Sequence, residues 1–99
     1  MDKEKLYLAI IKSKKAGKLN MSAVIILREL GEELLKVLPP MKNDEDKKDV
    51  VNYGICDCAK YFDNFKDTKD VNVCYGYFRT IMFRAMSGMN SYKVKYQYQ

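Results

Sequence analysis

Apolar residues recur at intervals of three and four along almost the whole chain, and that spacing restricts it to helices packed on one another. Leu27, Leu30, Leu34 and Leu38 form one stripe, and Val51, Ile55, Cys58, Phe62 and Phe65 form another. Cys74, Phe78, Met82, Ala85 and Met89 form a third. Residues three and four apart share one face of a helix, whereas a half-buried strand needs strict alternation. No strand-and-hairpin pattern occurs before the last nine residues. The 99 residues make one domain, and a chain of that size buries only roughly 60–70% of its unfolded surface. The expected fold class is all-α, a small four-helix bundle over residues 1–90 with a tail at 91–99.

The punctuation residues place the helices. Helix one is expected over residues 3–15, with Leu6, Ala9 and Ile10 inward and Gly17 as its stop. Helix two is expected from an N-cap at Asn20 or Ser22 to Leu38, where Pro39-Pro40 end it. Gly31 inside that helix costs ~1 kcal/mol against alanine, and close helix packing is the expected reason. Helix three follows Asp44-Glu45-Asp46, which suit the positive end of a helix. A loop rich in aspartate and lysine spans roughly Asp63 to Val71. Asn72 is the expected N-cap of helix four, which is expected to run to about Ser87 or Gly88. The closing SYKVKYQYQ reads as an edge strand, a helix extension or a loose tail.

Composition narrows the function classes. The clean apolar run Ala23-Val24-Ile25-Ile26-Leu27 is far short of the ~20 residues a membrane span needs. The N-terminus returns to lysines after six apolar or aromatic residues and has no small-residue cleavage site, so no secretory signal is expected. There is no histidine, which removes the commonest general base and the commonest metal ligand. The expectation is a small, soluble, intracellular protein that is not an enzyme, needs no cofactor and takes no small-molecule substrate.

The net charge of +5 is unevenly distributed. Residues 1–20 carry +4, residues 21–42 none, residues 43–70 carry −3 and residues 71–99 carry +4 with no acid at all. That last segment also holds seven of the twelve aromatics: Tyr75, Tyr77, Phe78, Phe83, Tyr92, Tyr96 and Tyr98. An acid-free, basic, aromatic-rich segment is suited to neutralising phosphates and stacking bases. A core helix with a solvated tail has the same composition, so charge and aromatics alone leave both open.

The chemical motifs are few. Cys56 and Cys58 are two apart and so point roughly 200° from each other on a helix, which prevents them from chelating one ion. With Cys74 the only other thiol, no metal site is expected, and free thiols fit a reducing compartment. The carboxylates of residues 44–49 lack EF-hand spacing and read as a solvated helix start. Two secondary stripes remain. Asn52, Cys56, Ala59 and Asp63 make a semi-polar ridge on helix three, suited to a partner helix. Val73, Tyr77, Thr80 and Arg84 lie beside the core stripe of helix four, where they could stack, hydrogen-bond and neutralise phosphate. Alternatively, Tyr77 is a core residue with its hydroxyl at the rim.

Residues 49–86, DVVNYGICDCAKYFDNFKDTKDVNVCYGYFRTIMFRAM, carry a family resemblance. Gly54-Ile55 follow Lys47-Lys48 by seven residues; then come Phe62-Asp63-Asn64-Phe65, Asp67-Thr68-Lys69, and Asn72 leading to Tyr77 and Phe83-Arg84-Ala85. These features resemble region 2 of bacterial sigma factors, and among them the late-transcription sigma factors of T-even-like bacteriophages. LYLAIIKSK at residues 6–14 resembles the start of the same family. The resemblance implies a helical bundle that docks on the clamp helices of the RNA polymerase largest subunit and meets the non-template strand of promoter DNA. Carried over by position, Asn52, Tyr53, Cys56 and Ala59 would face polymerase, and Asn72, Tyr77, Thr80 and Arg84 would face DNA. Lys93 and Lys95 would add phosphate contacts. The implied setting is the cytoplasm of an infected bacterial host, and the implied role is opening of late promoters.

The chain also departs from that pattern. It has no tryptophan, and Thr80 and Ile81 stand where housekeeping sigma factors place the tryptophans of the melting helix. No second helix-turn-helix domain for an upstream element is expected in 99 residues. Residues 92–99 hold no acid, unlike the apolar-acidic segment by which the phage family binds a sliding clamp. The alternative expectation is therefore an interaction protein that uses a sigma-like bundle to inhibit or redirect a host protein such as RNA polymerase.

Overall fold

The computed structural model describes the backbone of residues 1–97 and the side chains of residues 1–95. It contains four α-helices: α1 (Lys3–Ala16), α2 (Met21–Leu35), α3 (Asp44–Tyr61) and α4 (Val71–Gln97). A short 3-10 turn (Phe62–Asn64) follows α3, and no strand occurs among the described residues. Each helix runs antiparallel to the next. The Met1 ammonium reaches Glu33 while Asn20 N–H donates to Ser13 Oγ, which fixes α1 against α2. Gly31 abuts Val51, joining α2 to α3. Tyr77 meets the carbonyl of Tyr61 at one end and Lys93 meets Asp46 at the other, joining α3 to α4. The result is an up-down-up-down bundle measuring 46 × 22 × 18 Å, its long dimension set by α4.

Each helix starts at an Asp or Asn whose carboxylate or amide oxygen accepts from the first free backbone N–H groups. Asp2 accepts from Glu4 and Lys5, Asn20 from Ala23, Asn43 from Glu45, and Asp70 from Asn72 and Val73. Each such cap contributes about 1 kcal/mol. Asn72 is therefore not the N-cap of α4: Asp70 holds that place and Asn72 lies exposed in the first turn. Gly17, at φ 78°, ends α1 in the left-handed conformation that only glycine adopts cheaply.

The expected stripes are the core. Leu6, Ala9, Ile10, Leu27, Leu30, Leu34 and Leu38 are buried, as are Val51, Ile55, Cys58, Phe62, Phe65, Cys74, Phe78, Met82 and Ala85. Met89 is only half-buried, and Met86 and Asn90 are buried instead. Two helix ends differ from expectation. α2 stops at Leu35 rather than Leu38, although Leu38 still turns inward from the connecting segment. α4 passes through Gly88 and continues to Gln97, so the alternating segment at 91–97 is a helix extension; Tyr98 and Gln99 lie outside the described residues. Long-range contacts hold that extension. Asn90 Nδ2 donates to the Pro39 carbonyl at 3.1 Å, and Lys93 Nζ sits 3.1 Å from Asp46 and 3.2 Å from Asp49.

Candidate protein and nucleic-acid interfaces

The crest of α3 arises because its inward stripe leaves the opposite face without a neighbouring helix. Asn52, Tyr53, Cys56 and Ala59 are all exposed there, and Asp63 continues the same line beyond the helix. A groove of about 610 Å³ runs along one flank between α2 and α3, with Asn52, Leu35 and Val51 in its lining and Arg28 and Lys48 among its charges. On the other flank, between α3 and α4, Tyr53, Asp57, Arg84, Gly88 and Tyr92 line a groove of about 520 Å³. The structure thus brings Tyr53, expected on a polymerase face, together with Arg84, expected on a DNA face.

The remaining residues expected to meet DNA are differently engaged. Tyr77 packs its ring 5.4 Å from Phe65 and edge-on to Phe78 at 5.0 Å. Its hydroxyl donates to the Tyr61 carbonyl at 2.9 Å. Burial pushes that phenol above the ordinary tyrosine value. This is the rim-of-core arrangement, and it commits both the ring and the hydroxyl to the bundle. Thr80 donates to the Gly76 carbonyl one turn back. Lys93 is held by Asp46 and Asp49, and those two partners raise its ammonium above the ordinary lysine value. Asn72, Arg84 and Lys95 are exposed.

The loop before α4 is pinned to α1. The Asp67 carboxylate accepts from the Tyr7 hydroxyl at 2.7 Å and from the Lys69 N–H at 2.8 Å, and the Tyr7 bond first of all holds it below the usual carboxylate range. Lys14 Nζ donates to the carbonyls of Asp63 and Phe65 at 3.0 and 2.5 Å. These contacts tie the 3-10 turn and the loop before α4 to the lysine-rich helix. Lys3 Nζ lies 4.4 Å from the Tyr75 ring centroid, and the Arg79 guanidinium lies 5.8 Å from that of Phe83. Tyr75, Arg79 and Phe83 recur at four-residue spacing, a stripe outside both the core stripe and the secondary stripe read from the sequence of this helix.

Cys56 is exposed while Cys58 is buried, so the pair diverges as its spacing requires. No three metal-binding side chains cluster among the described residues. No helix among them is long and apolar enough to cross a membrane. Compared with known protein families, curated proteins and solved structures, the chain matches none.

Proposed function

We propose that this chain is a non-enzymatic transcription-initiation adaptor of the sigma region 2 kind, acting on a bacterial RNA polymerase core in the cytoplasm of a phage-infected host. The observation that carries the reading is the exposed crest of α3. Asn52, Cys56 and Ala59 lie on it with a groove on either side, backed by a bundle whose neighbouring helix α4 holds four cations and no acid. A narrow crest of small and polar side chains between two grooves fits a two-helix partner, whose side chains enter the grooves as an amphipathic helix enters a cleft. The clamp helices of the polymerase are such a partner.

In this reading the work is differential binding. Unpairing a promoter base costs a few kcal/mol, and stacking it on an aromatic or guanidinium surface returns ~1–3 kcal/mol per base. Cations along α4 and α1 neutralise phosphates and set affinity rather than sequence preference. No proton shuttle is needed, which is consistent with a histidine-free chain.

A second reading has its own observation. Tyr77 is built into the bundle and Lys93 is held by carboxylates, which removes two groups from base and phosphate capture and favours a protein that occupies polymerase without opening DNA. Run-off transcription from a premelted phage late promoter separates the two. Stimulation by the purified chain supports the initiation factor, suppression supports the inhibitor, and an unchanged transcript level overturns both.

A further inference from the structure

Three large apolar side chains, Leu8 at 59% exposure, Met21 at 70% and Ile25 at 51%, stand on α1 and α2. Single exposed aliphatics are ordinary, whereas a cluster of them marks a contact surface. Helical spacing sets these in two stripes that face away from the core. On α1 the stripe is Glu4, Leu8, Ile11 and Lys15, spaced 4, 3 and 4. On α2 it is Met21, Ile25 and Glu29, spaced 4 and 4, with Lys18 just before it in the connection. Glu4, Lys15, Lys18 and Glu29 are exposed as well, and Ile11 is half-buried. Leu8, Ile11, Met21 and Ile25 all lie outside the buried cluster that unites the four helices.

The order of side chains along this face is self-complementary. The contacts of Met1 with Glu33 and of Asn20 with Ser13 set residues 9–10 of α1 level with residues 23–24 of α2. About that level, Glu4 mirrors Lys15 and Leu8 mirrors Ile11 on α1. On the α2 side Lys18 mirrors Glu29, and Met21 mirrors Ile25 to within one residue, about 1.5 Å of rise. Each apolar side chain thus answers another, and each acid answers a lysine. A two-fold axis lying in the face and perpendicular to the helices reverses this level and turns the mirror pairs into contacts between two copies. Glu4, Lys15 and Lys18 take part in no ion pair among the described residues. The Met1 ammonium that Glu29 also attracts is held by Glu33 at 2.8 Å.

We propose that the outer face of α1 and α2 binds a second copy of this chain, as an isologous dimer with α1 antiparallel on the partner's α1 and α2 antiparallel on the partner's α2. Glu4 pairs with Lys15 of the partner subunit, and Leu8 packs on Ile11 of the partner subunit. Met21 packs on Ile25 of the partner subunit, and Glu29 pairs with Lys18 of the partner subunit. Symmetry makes each contact twice. Docking with the helices parallel would set Glu4 against the partner's Glu29 and Lys15 against the partner's Lys18, so the charges select the antiparallel register. The face is two helices wide and about three turns long, which places the dimer in the small, reversible class of interfaces. It is separate from the crest of α3 and from the cations of α4, and the proposal rests on the reading of neither.

The test is sedimentation velocity of the full chain over a micromolar concentration series, with thermal unfolding of each variant alongside. The wild type is expected to pass from monomer to dimer as concentration rises. Lys15→Glu sets two glutamates against each other and Glu4→Lys two lysines, so each variant alone is expected to stay monomeric. An equimolar mixture of the two is expected to recover the dimer, because every mixed pair again joins an acid to a lysine. Leu8→Gln, at an exposed position that the core does not use, is expected to weaken the dimer about tenfold at unchanged unfolding temperature. Ala59→Glu on the crest of α3 is expected to leave it intact. A wild type that is monomeric throughout, or a mixture no more dimeric than its components, overturns the proposal. So does a dimer that Leu8→Gln leaves unchanged or that Ala59→Glu dissociates.

Discussion

Alanine at Gly31 should destabilise the bundle, whereas the same substitution at Gly76 should stabilise it. Both exchanges gain ~1 kcal/mol of helix propensity. At Gly31 the new methyl would stand 2.7 Å from Val51 Cγ1, 3.0 Å from Met82 Cε and 3.3 Å from Val51 Cγ2. Ordinary carbon contacts are about 3.5–4.0 Å, so α2 and α3 must separate or Val51 must move. A β-branched side chain has one favoured rotamer in a helix, and Val51 is 4% exposed, which leaves it no room to turn. Overpacking of this kind costs about 1–3 kcal/mol, so the net loss is about 1 kcal/mol. Gly54 is intermediate, because its nearest atoms are Met82 Sδ at 2.9 Å and Met86 Cγ at 3.0 Å on flexible side chains that can yield. At Gly76 no atom opposes the methyl, and the gain of about 0.5–1 kcal/mol survives as a rise in Tm of about 4 °C. Urea and thermal unfolding followed by circular dichroism read all three variants. Combining Gly31→Ala with Val51→Ala should cost less than the two single changes added together. A rise in midpoint for Gly31→Ala as large as that for Gly76→Ala would refute the close approach of α2 and α3.

Thiol labelling of the folded protein should modify Cys56 rapidly and leave Cys58 and Cys74 protected until unfolding, since both are buried and burial pushes their thiols up to about 12. Mass analysis of labelled peptides gives the order, and equal rates would contradict the packing. Lys93→Met should speed amide exchange in residues 88–95 by removing both ion pairs to the start of α3. Because Asp46 and Asp49 raise Lys93, its contribution is complete below the ordinary lysine value and disappears as pH rises through the raised one. The contribution of Asp67 has the opposite sense: its lowered value makes it complete above the ordinary carboxylate range and lost as pH falls through the folded value. Tyr7→Phe removes the main cause of that shift, so acid titration of unfolding should flatten in the variant.

The helices and most of the core were legible because they depend on local spacing. The stripe from Val51 to Phe65 is buried throughout, and Gly31 is needed for the reason its place in a leucine stripe implied. What the sequence concealed depends on contacts between distant residues. Gly88 reads as a stop, yet it lacks the left-handed conformation of the usual glycine cap, which among the described glycines only Gly17 adopts. Asn90 and Lys93, reaching Pro39, Asp46 and Asp49, carry α4 onward. Asp70 rather than Asn72 is the cap because its carboxylate accepts from the backbone N–H groups of Asn72 and Val73, two and three residues on. Leu38 is buried without being helical, since the segment after α2 folds back over the core. At the candidate interfaces, the exposure of Asn52, Cys56 and Ala59 followed from periodicity. The fate of Tyr77 did not, because the 3-10 turn after α3 brings the Tyr61 carbonyl to its hydroxyl.

The proposed function rests on the crest of α3, and affinity of the labelled chain for purified bacterial core RNA polymerase tests it most directly. Ala59→Glu and Asn52→Arg place bulky charges at exposed positions that the bundle does not use. The account predicts saturable binding of the wild type and loss of that binding in both variants at unchanged unfolding temperature. Absence of wild-type binding, or equal affinity in the variants, would contradict it.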